Sequence, residues 1–264
     1  YSNDWVSSYV GHFFMAAKDK GYEVNDGVLT RWKSYQRERA RSWSVDSYNK
    51  YTRMNSELMQ AYRLYTLALA GTPETGAMNR MKETKDLTTQ ARWVLASAYA
   101  INGKISVAEE LVFNIPSTVE EYYSSYTYGT SMRDEAMILE TMILINRLED
   151  AFRQAQRVSR SLSQETYFST QSTAYSLVAM GLLAEKTSGT MDFSWTLNDK
   201  KQKDIQSNKA VMQIDLDKRV LDGKITLTNN EKGLLYVNLI SKTKPSQDTL
   251  PAVANNLKLD VRYM

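Results

Sequence analysis

The chain has 264 residues, 42% hydrophobic and 24% charged, the balance of a globular protein long enough to bury a core without disulfides or a structural metal. It contains no cysteine and one histidine, which excludes Cys/His zinc sites, thiol nucleophiles and thioesters within these residues. The net charge of +3 arises beyond residue 187 while the first part is balanced, so there is no general footprint for nucleic acid.

No apolar run approaches the roughly 20 residues that span a bilayer. The sequence opens directly on a helical pattern, without an initiator Met or a signal peptide, and Met264 closes a strand-like run. The chain is therefore expected to be a piece of a longer protein, with localisation signals outside it.

In chain order, Val6, Tyr9, Val10, Phe13, Phe14 and Ala17 form one helical stripe, with Asn3 or Asp4 as cap and Gly21 as stop. A second helix begins near Asp26 and carries Val28, Leu29, Trp32 and Tyr35. Ser56 to Ala70 is strongly helical and ends at Gly71-Thr72-Pro73. A short helix follows over Ala77 to Lys82, then a long one over Leu87 to Ile101, then its short partner over Val107 to Val112. Ile115 to Thr130 is irregular and rich in Tyr and Ser, after which helices resume at Arg133–Ile145, Asp150–Leu162 and Thr170–Lys186. Long and short helices alternate with about 40 to 45 residues per pair, the signature of a solenoid or an α/α toroid. The simplest reading of every apolar stripe is core, and small residues such as Ala61, Ala91 and Ala136 allow close helix contact.

Composition changes at Thr187-Ser188-Gly189. Short alternating runs follow at Phe193–Leu197, Val211–Leu216, Ile225–Thr228, Leu234–Ile240 and Leu257–Tyr263, with Asp222-Gly223 and Asn229-Asn230 as turn pairs. The expected organisation is mainly α followed by β. Residues 1–187 form an incomplete α/α helical-hairpin toroid, and residues 188–264 form a truncated antiparallel β domain of the small sandwich type.

The sequence offers little reactive chemistry. His12 lies off the apolar stripe of its helix without a local nucleophile or carboxylate partner, and reads as a structural histidine bonded between helices. Phosphate loops, HExxH and GxSxG are all missing. Glu109-Glu110 and Glu120-Glu121 are sequence neighbours, so on a helix they diverge, and Asp134-Glu135 suits a first helical turn. Arg31, Lys33, Arg37, Arg39 and Arg41, interleaved with Trp32, Tyr35 and Trp43, resemble a nucleic-acid track, but their spacing fits a solvated helix flank better. Tyr122, Tyr123, Tyr126 and Tyr128 serve either recognition or packing over a helix end. No catalytic, cofactor-binding or metal-ligating residue is assigned, no cofactor is expected, and the chain is not read as an enzyme.

Several phrases share an order with a known family. Asp4-Trp5, Tyr9 to Phe13 and Gly21 to Val24 form the first, followed by Gln60 to Gly71, Thr130 to Leu139 and Ser169 to Leu177. Leu234 to Leu239 and Leu257 to Tyr263 continue it. Together they resemble the thioester-containing helical domain of bacterial α2-macroglobulins and the β domain after it. The resemblance implies a secreted or periplasmic, often lipid-anchored protease trap. In such a trap, bait cleavage triggers a rearrangement and a Cys–Gln thioester acylates the attacker. In the family the Cys-x-Glu-Gln motif precedes the segment matching Asp4-Trp5, and this chain, without cysteine, cannot form the bond. Ser169 to Gln171 reads as a capped helix start and not as the reactive Gln. The implied partners are proteases, acting through the full-length protein, with neither nucleic acid nor membrane insertion for this segment. The alternatives are a carbohydrate-processing or carbohydrate-binding α/α toroid with a β accessory domain, and a peptide-binding solenoid. The first requires two convergent carboxylates.

Overall fold

The computed structural model describes residues 3–45, 49–164, 168–187, 191–209, 212–216, 223–231, 235 and 237–240. It divides into two compact units. One runs to Ser188 and includes Lys209–Gln213; the other comprises Gly189–Asn208 and the residues from Ile214 onward.

The first unit is helical: α1 (Asp4–Asp19), α2 (Asp26–Ser42), α3 (Lys50–Leu69), α4 (Thr75–Lys82), α5 (Thr89–Ile101), α6 (Ile105–Leu111), α7 (Ser131–Leu144), α8 (Leu148–Leu162) and α9 (Thr170–Thr187). Side-chain caps set several of these starts. Asn3 accepts from the Val6 amide, Asn25 from Val28, and Ser169 from Ser172 at 3.1 Å. Asn49 and Thr52 form a reciprocal capping box, which starts α3 six residues before the apolar stripe indicates. Four helix ends share one closure. After α1, α3, α5 and α7 the chain turns left-handed at Gly21, Gly71, Gly103 and Asn146, and the next amide reaches back to Ala17, Leu67, Tyr99 and Met142 respectively.

Odd-numbered helices neighbour one another in order, α1 on α3, α3 on α5, α5 on α7 and α7 on α9. The even helices pack against this row, α2 on α1 and α3, and α8 on α7 and α9. Burial follows position. From Trp93 to Ala100 every residue of α5 is buried, whereas α8 buries a single stripe of Ala151, Gln154, Ala155 and Val158. Close approach is visible where α1 meets α2: a Cβ on Gly11 would fall 1.9 Å from the Trp32 ring, whose Nε1 donates to the Ser7 carbonyl at 2.7 Å. Between α6 and α7 the Tyr-rich stretch forms a minimal hairpin of β1 (Tyr123–Ser124) and β2 (Gly129–Thr130), paired antiparallel.

The second unit holds β3 (Met191–Leu197), β4 (Lys200–Lys201), β5 (Ile205–Ser207) and β6 (Ile225–Asn229). All pairing is antiparallel and centres on β3, with β4 and β5 along one edge and β6 along the other. The β3–β4 turn is Asn198-Asp199, with φ of 51° and 61°, the left-handed pair of a two-residue hairpin. The register puts Phe193, Trp195 and Leu197 on the same face as Ile205, Leu227 and Ile225.

At the expected Asn229-Asn230 turn, Asn229 ends β6 and its side chain accepts from the Glu231 amide at 3.2 Å, while the Asn230 amide donates to the Asp192 carbonyl at 2.9 Å. Residues 212–216 and 237–240, inside two of the expected runs, are not in strands. Val211, Leu234, Tyr236, Asp222 and the run Leu257–Tyr263 lie outside the described residues.

Candidate functional site: the polar centre of the helical unit

Side chains from α1, α3, α7 and α9 meet in one buried polar cluster. Trp5, fully buried on α1, stacks on Tyr62 of α3 with centroids 4.6 Å apart. The Arg133 guanidinium of α7 covers the Trp5 ring at 4.3 Å, and Trp5 Nε1 donates to Gln171 of α9 at 2.7 Å. One side chain thus ties three other helices to α1.

Arg133 is itself fully buried. It donates to Asp134 at 2.9 and 2.7 Å, to the Thr127 carbonyl at 2.7 Å and to the Tyr122 hydroxyl at 3.2 Å. Tyr122 in turn donates to the second Asp134 oxygen. Burial raises the Asp134 carboxyl against the opposing pull of Arg133, and the aspartate keeps Arg133 charged despite burial. Gly129 makes room for this hub, since a Cβ there would fall 2.2 Å from Arg133 Nη1.

Deeper along the same helices lies a second group. The Tyr62 hydroxyl sits 3.0 Å from His12 Nδ1 and accepts from Tyr175, while Tyr65 donates to Glu140. His12 packs edge-on against Tyr65 at 5.4 Å. Burial pushes the Glu140 carboxyl up to about 7 and the His12 ring down to about 4. Burial also raises the Tyr62, Tyr65 and Tyr175 phenols, which stay neutral donors.

At the N-terminal end of α1, Asp4 accepts from Tyr35 at 3.0 Å and Arg39 at 2.9 Å, with Arg63 at 3.2 Å. A cavity of about 400 Å³ opens there, lined by Asn3, Asp4, Tyr35, Arg39, Met59 and Tyr126. A second, of about 620 Å³, runs between α1 and α2 past Val6, Val10, Phe14, Val28 and Trp32. Neither includes His12, Glu140, Asp134 or Arg133. His12 and Glu140 are held by tyrosines of α3, and Arg133 and Asp134 by each other and by Tyr122, in an arrangement suited to fixing helix register.

The structure distributes the sequence candidates as follows. His12 bonds between α1 and α3. Glu109, Glu110, Glu120 and Glu121 are exposed, and Glu135 accepts from the Val119 amide at 3.2 Å, so no acid pair converges on a cleft. The basic stretch of α2 departs from a simple solvated flank. Arg37 and Arg41 clasp Glu74, at 2.6 Å and at 2.9 and 3.0 Å, while Arg39 is committed to Asp4. The tyrosines divide, Tyr122 inward onto Asp134 and Tyr123, Tyr126 and Tyr128 outward. Sequence reasoning missed the Arg133–Asp134 hub and Glu140. The available signal was three charges at positions 133, 134 and 140 flanking the apolar run Ala136–Leu139. Among the described residues no His, Asp and Glu side chains gather as a metal cluster, and no helix is long and apolar enough to cross a membrane.

No protein-family model and no curated protein matches this sequence. Solved structures do. The native α2-macroglobulin of Escherichia coli matches with a TM-score of 0.60 at 19% identity, over 87% of this chain and 14% of that one. A point mutant of Salmonella α2-macroglobulin gives 0.61 at 20%, over 88% and 15%. The E. coli fragment from domain MG7 to the C-terminus gives 0.59 at 18%, over 87% and 34%. The chain therefore spans a minor part of the proteins it matches. It shares the helix-rich-then-β fold of a segment of bacterial α2-macroglobulins.

Proposed function

We propose that this chain is the helical-to-β segment of a bacterial α2-macroglobulin-like protease trap. In this reading residues 1–187 are an incomplete α/α toroid, and residues 188–264 begin an antiparallel β domain of the sandwich type. The reading rests on the fold likeness, which covers 87–88% of the chain. Two features of the helical unit support it: the layering of odd and even helices, and the meeting of α1 and α9 through Trp5–Gln171 and Tyr9–Tyr175.

Among the matched structures are E. coli proteins activated by porcine elastase and by trypsin, and a Salmonella protein reacted with methylamine. Transferred to the parent of this chain, those states imply a protein that repacks after protease cleavage and acylates its attacker. The present residues cannot close a Cys–Gln thioester, since they contain no cysteine. Their role is architectural: a rigid helical body whose polar centre locks four helices together. The reading places the parent in the periplasm or at the cell surface, on a lipid anchor, with proteases as partners and no enzymatic activity of its own.

The test uses the full-length parent and elastase, with a fluorescent protein substrate and a small peptide amide in parallel. The reading predicts strong loss of protein cleavage with the peptide amide still hydrolysed. Unchanged protein cleavage at excess parent would overturn it.

A further inference from the structure

We propose that folding of the helical unit leaves His12 and Glu140 as a neutral base and a neutral acid in a shared tyrosine cage, so that these two groups are held by uncharged hydrogen bonds and not by a salt bridge with one another.

The geometry carries this. Glu140 is 7% exposed, and its side-chain partner among the described residues is the Tyr65 hydroxyl, a neutral donor. His12 has the Tyr62 hydroxyl on Nδ1 and the rings of Tyr62, Tyr65 and Tyr175 around it, with no carboxylate within ion-pair distance among the described residues. Tyr65 stands between them, its ring against the imidazole and its hydroxyl on the carboxyl. Glu140 is a buried carboxyl with one neutral donor, too little to hold a charge. The Tyr62 hydroxyl accepts from Tyr175 and so has its own proton to give to His12 Nδ1, which is then the bare nitrogen of a neutral, partly exposed ring.

The surrounding groups do not alter this. Toward Glu140, α3 presents Tyr62 and Tyr65, α9 presents Tyr175, and α1 presents His12 behind Tyr65. Arg133, on the same helix, is bound to Asp134, Thr127 and Tyr122. Neither α5 nor α8 sends an ionisable group that shifts it. Toward His12, α3 and α9 present only these phenols. Arg39 and Tyr35 of α2 sit at Asp4, two turns away along α1.

The proton count follows. In the unfolded chain, between about pH 4.5 and 6.5, Glu140 is a carboxylate and His12 an imidazolium. In the folded unit the carboxyl keeps a proton and the ring has none. Folding therefore moves one proton from base to acid through solvent with no net uptake. The two linkages oppose each other. The Glu140 contribution to stability is full below about pH 4.5 and is lost as pH rises through about 7. The His12 contribution is full above about pH 6.5 and is lost as pH falls through about 4.

Single substitutions uncouple the two. Urea unfolding of the 264-residue chain across this range, compared with E140Q and H12Q, reads the effect. The folded-to-unfolded ratio of E140Q, relative to the unsubstituted chain, should rise about tenfold per pH unit between about 5 and 7 and level off above. The same ratio for H12Q should rise as pH falls from about 6 to 4. Should a variant not fold, the unsubstituted chain answers directly at pH 5.5. With carbon-13 glutamate and nitrogen-15 histidine, the Glu140 carboxyl should report the protonated form and the one histidine a neutral ring. A carboxylate beside an imidazolium, or pH-independent differences for both variants, would overturn the proposal.

Discussion

Arg133 shows how much of this helical unit hangs on single polar side chains. Its guanidinium is fully buried against Trp5, bonded to Asp134 and to the Thr127 carbonyl. Removing it leaves the Asp134 charge buried with only Tyr122 as a donor, which costs far more than the net worth of the pair. Arg133→Ala is expected to lose about 3–5 kcal/mol in denaturant unfolding. Replacing both partners with apolar groups should cost much less. Asp4 belongs to the opposite class. Burial raises its carboxyl, but Arg39, Arg63 and Tyr35 together hold it below its ordinary value. Its contribution is therefore present above about pH 4 and lost as pH falls further. Asp4→Asn should flatten that acid limb of the stability profile, by a modest amount because the group is partly exposed. None of these pairings was legible in the sequence. Tyr65 meets Glu140 across 75 positions and Trp5 meets Gln171 across 166, and nothing local encodes a partner that distant. What was legible was His12, since a lone histidine beside an apolar stripe with no nearby acid reads as a bond between helices.

At the scale of elements the sequence carried further. Apolar period marks the long helices, with asparagine or serine caps at α1, α2, α3 and α9 and left-handed glycines after α1, α3 and α5, because each is a local physical cause. The miss at the start of α3 has the same origin: a capping box of Asn49 and Thr52 begins a helix before its buried face begins. Gly11 shows an opposing pair of effects. Exchanging a mid-helix glycine for alanine favours α1 by up to about 1 kcal/mol in isolation. Here the new methyl would sit 1.9 Å from the Trp32 ring, whose indole is anchored on Ser7, so backbones must separate. Gly11→Ala is therefore expected to destabilise by about 1–3 kcal/mol net, seen as a lower Tm and altered tryptophan fluorescence. In the β unit, a turn forms at Asn198-Asp199, a pair not singled out from the sequence. Asn198-Asp199 turns because both residues tolerate positive φ, and Asp199 does so less easily than glycine. Asp199→Gly should stabilise the β3–β4 hairpin by a few tenths to about 1 kcal/mol, measurable by chemical denaturation.

For the whole molecule, composition and the order of patterns gave the helix-rich-then-β architecture, while the toroid and the sandwich remain parts of the proposal. The described surface keeps large apolar side chains outward on α1, among them Val6, Val10 and Phe13, and on α9, at Leu177 and Val178. Under the proposed reading, such side chains would pack against other domains of the longer parent. The matched structures are about three to seven times longer than the part this chain covers, in keeping with that. A helical body locked at its centre by Trp5, Arg133 and the tyrosine cage suits a protein whose domains move as rigid pieces. The most direct measurement is sedimentation velocity of the full-length parent before and after limited cleavage by elastase. The account predicts a cut outside the helical unit, faster sedimentation of the cleaved protein, and elastase moving with it. A cleaved parent that sediments unchanged, with the protease released, would contradict it.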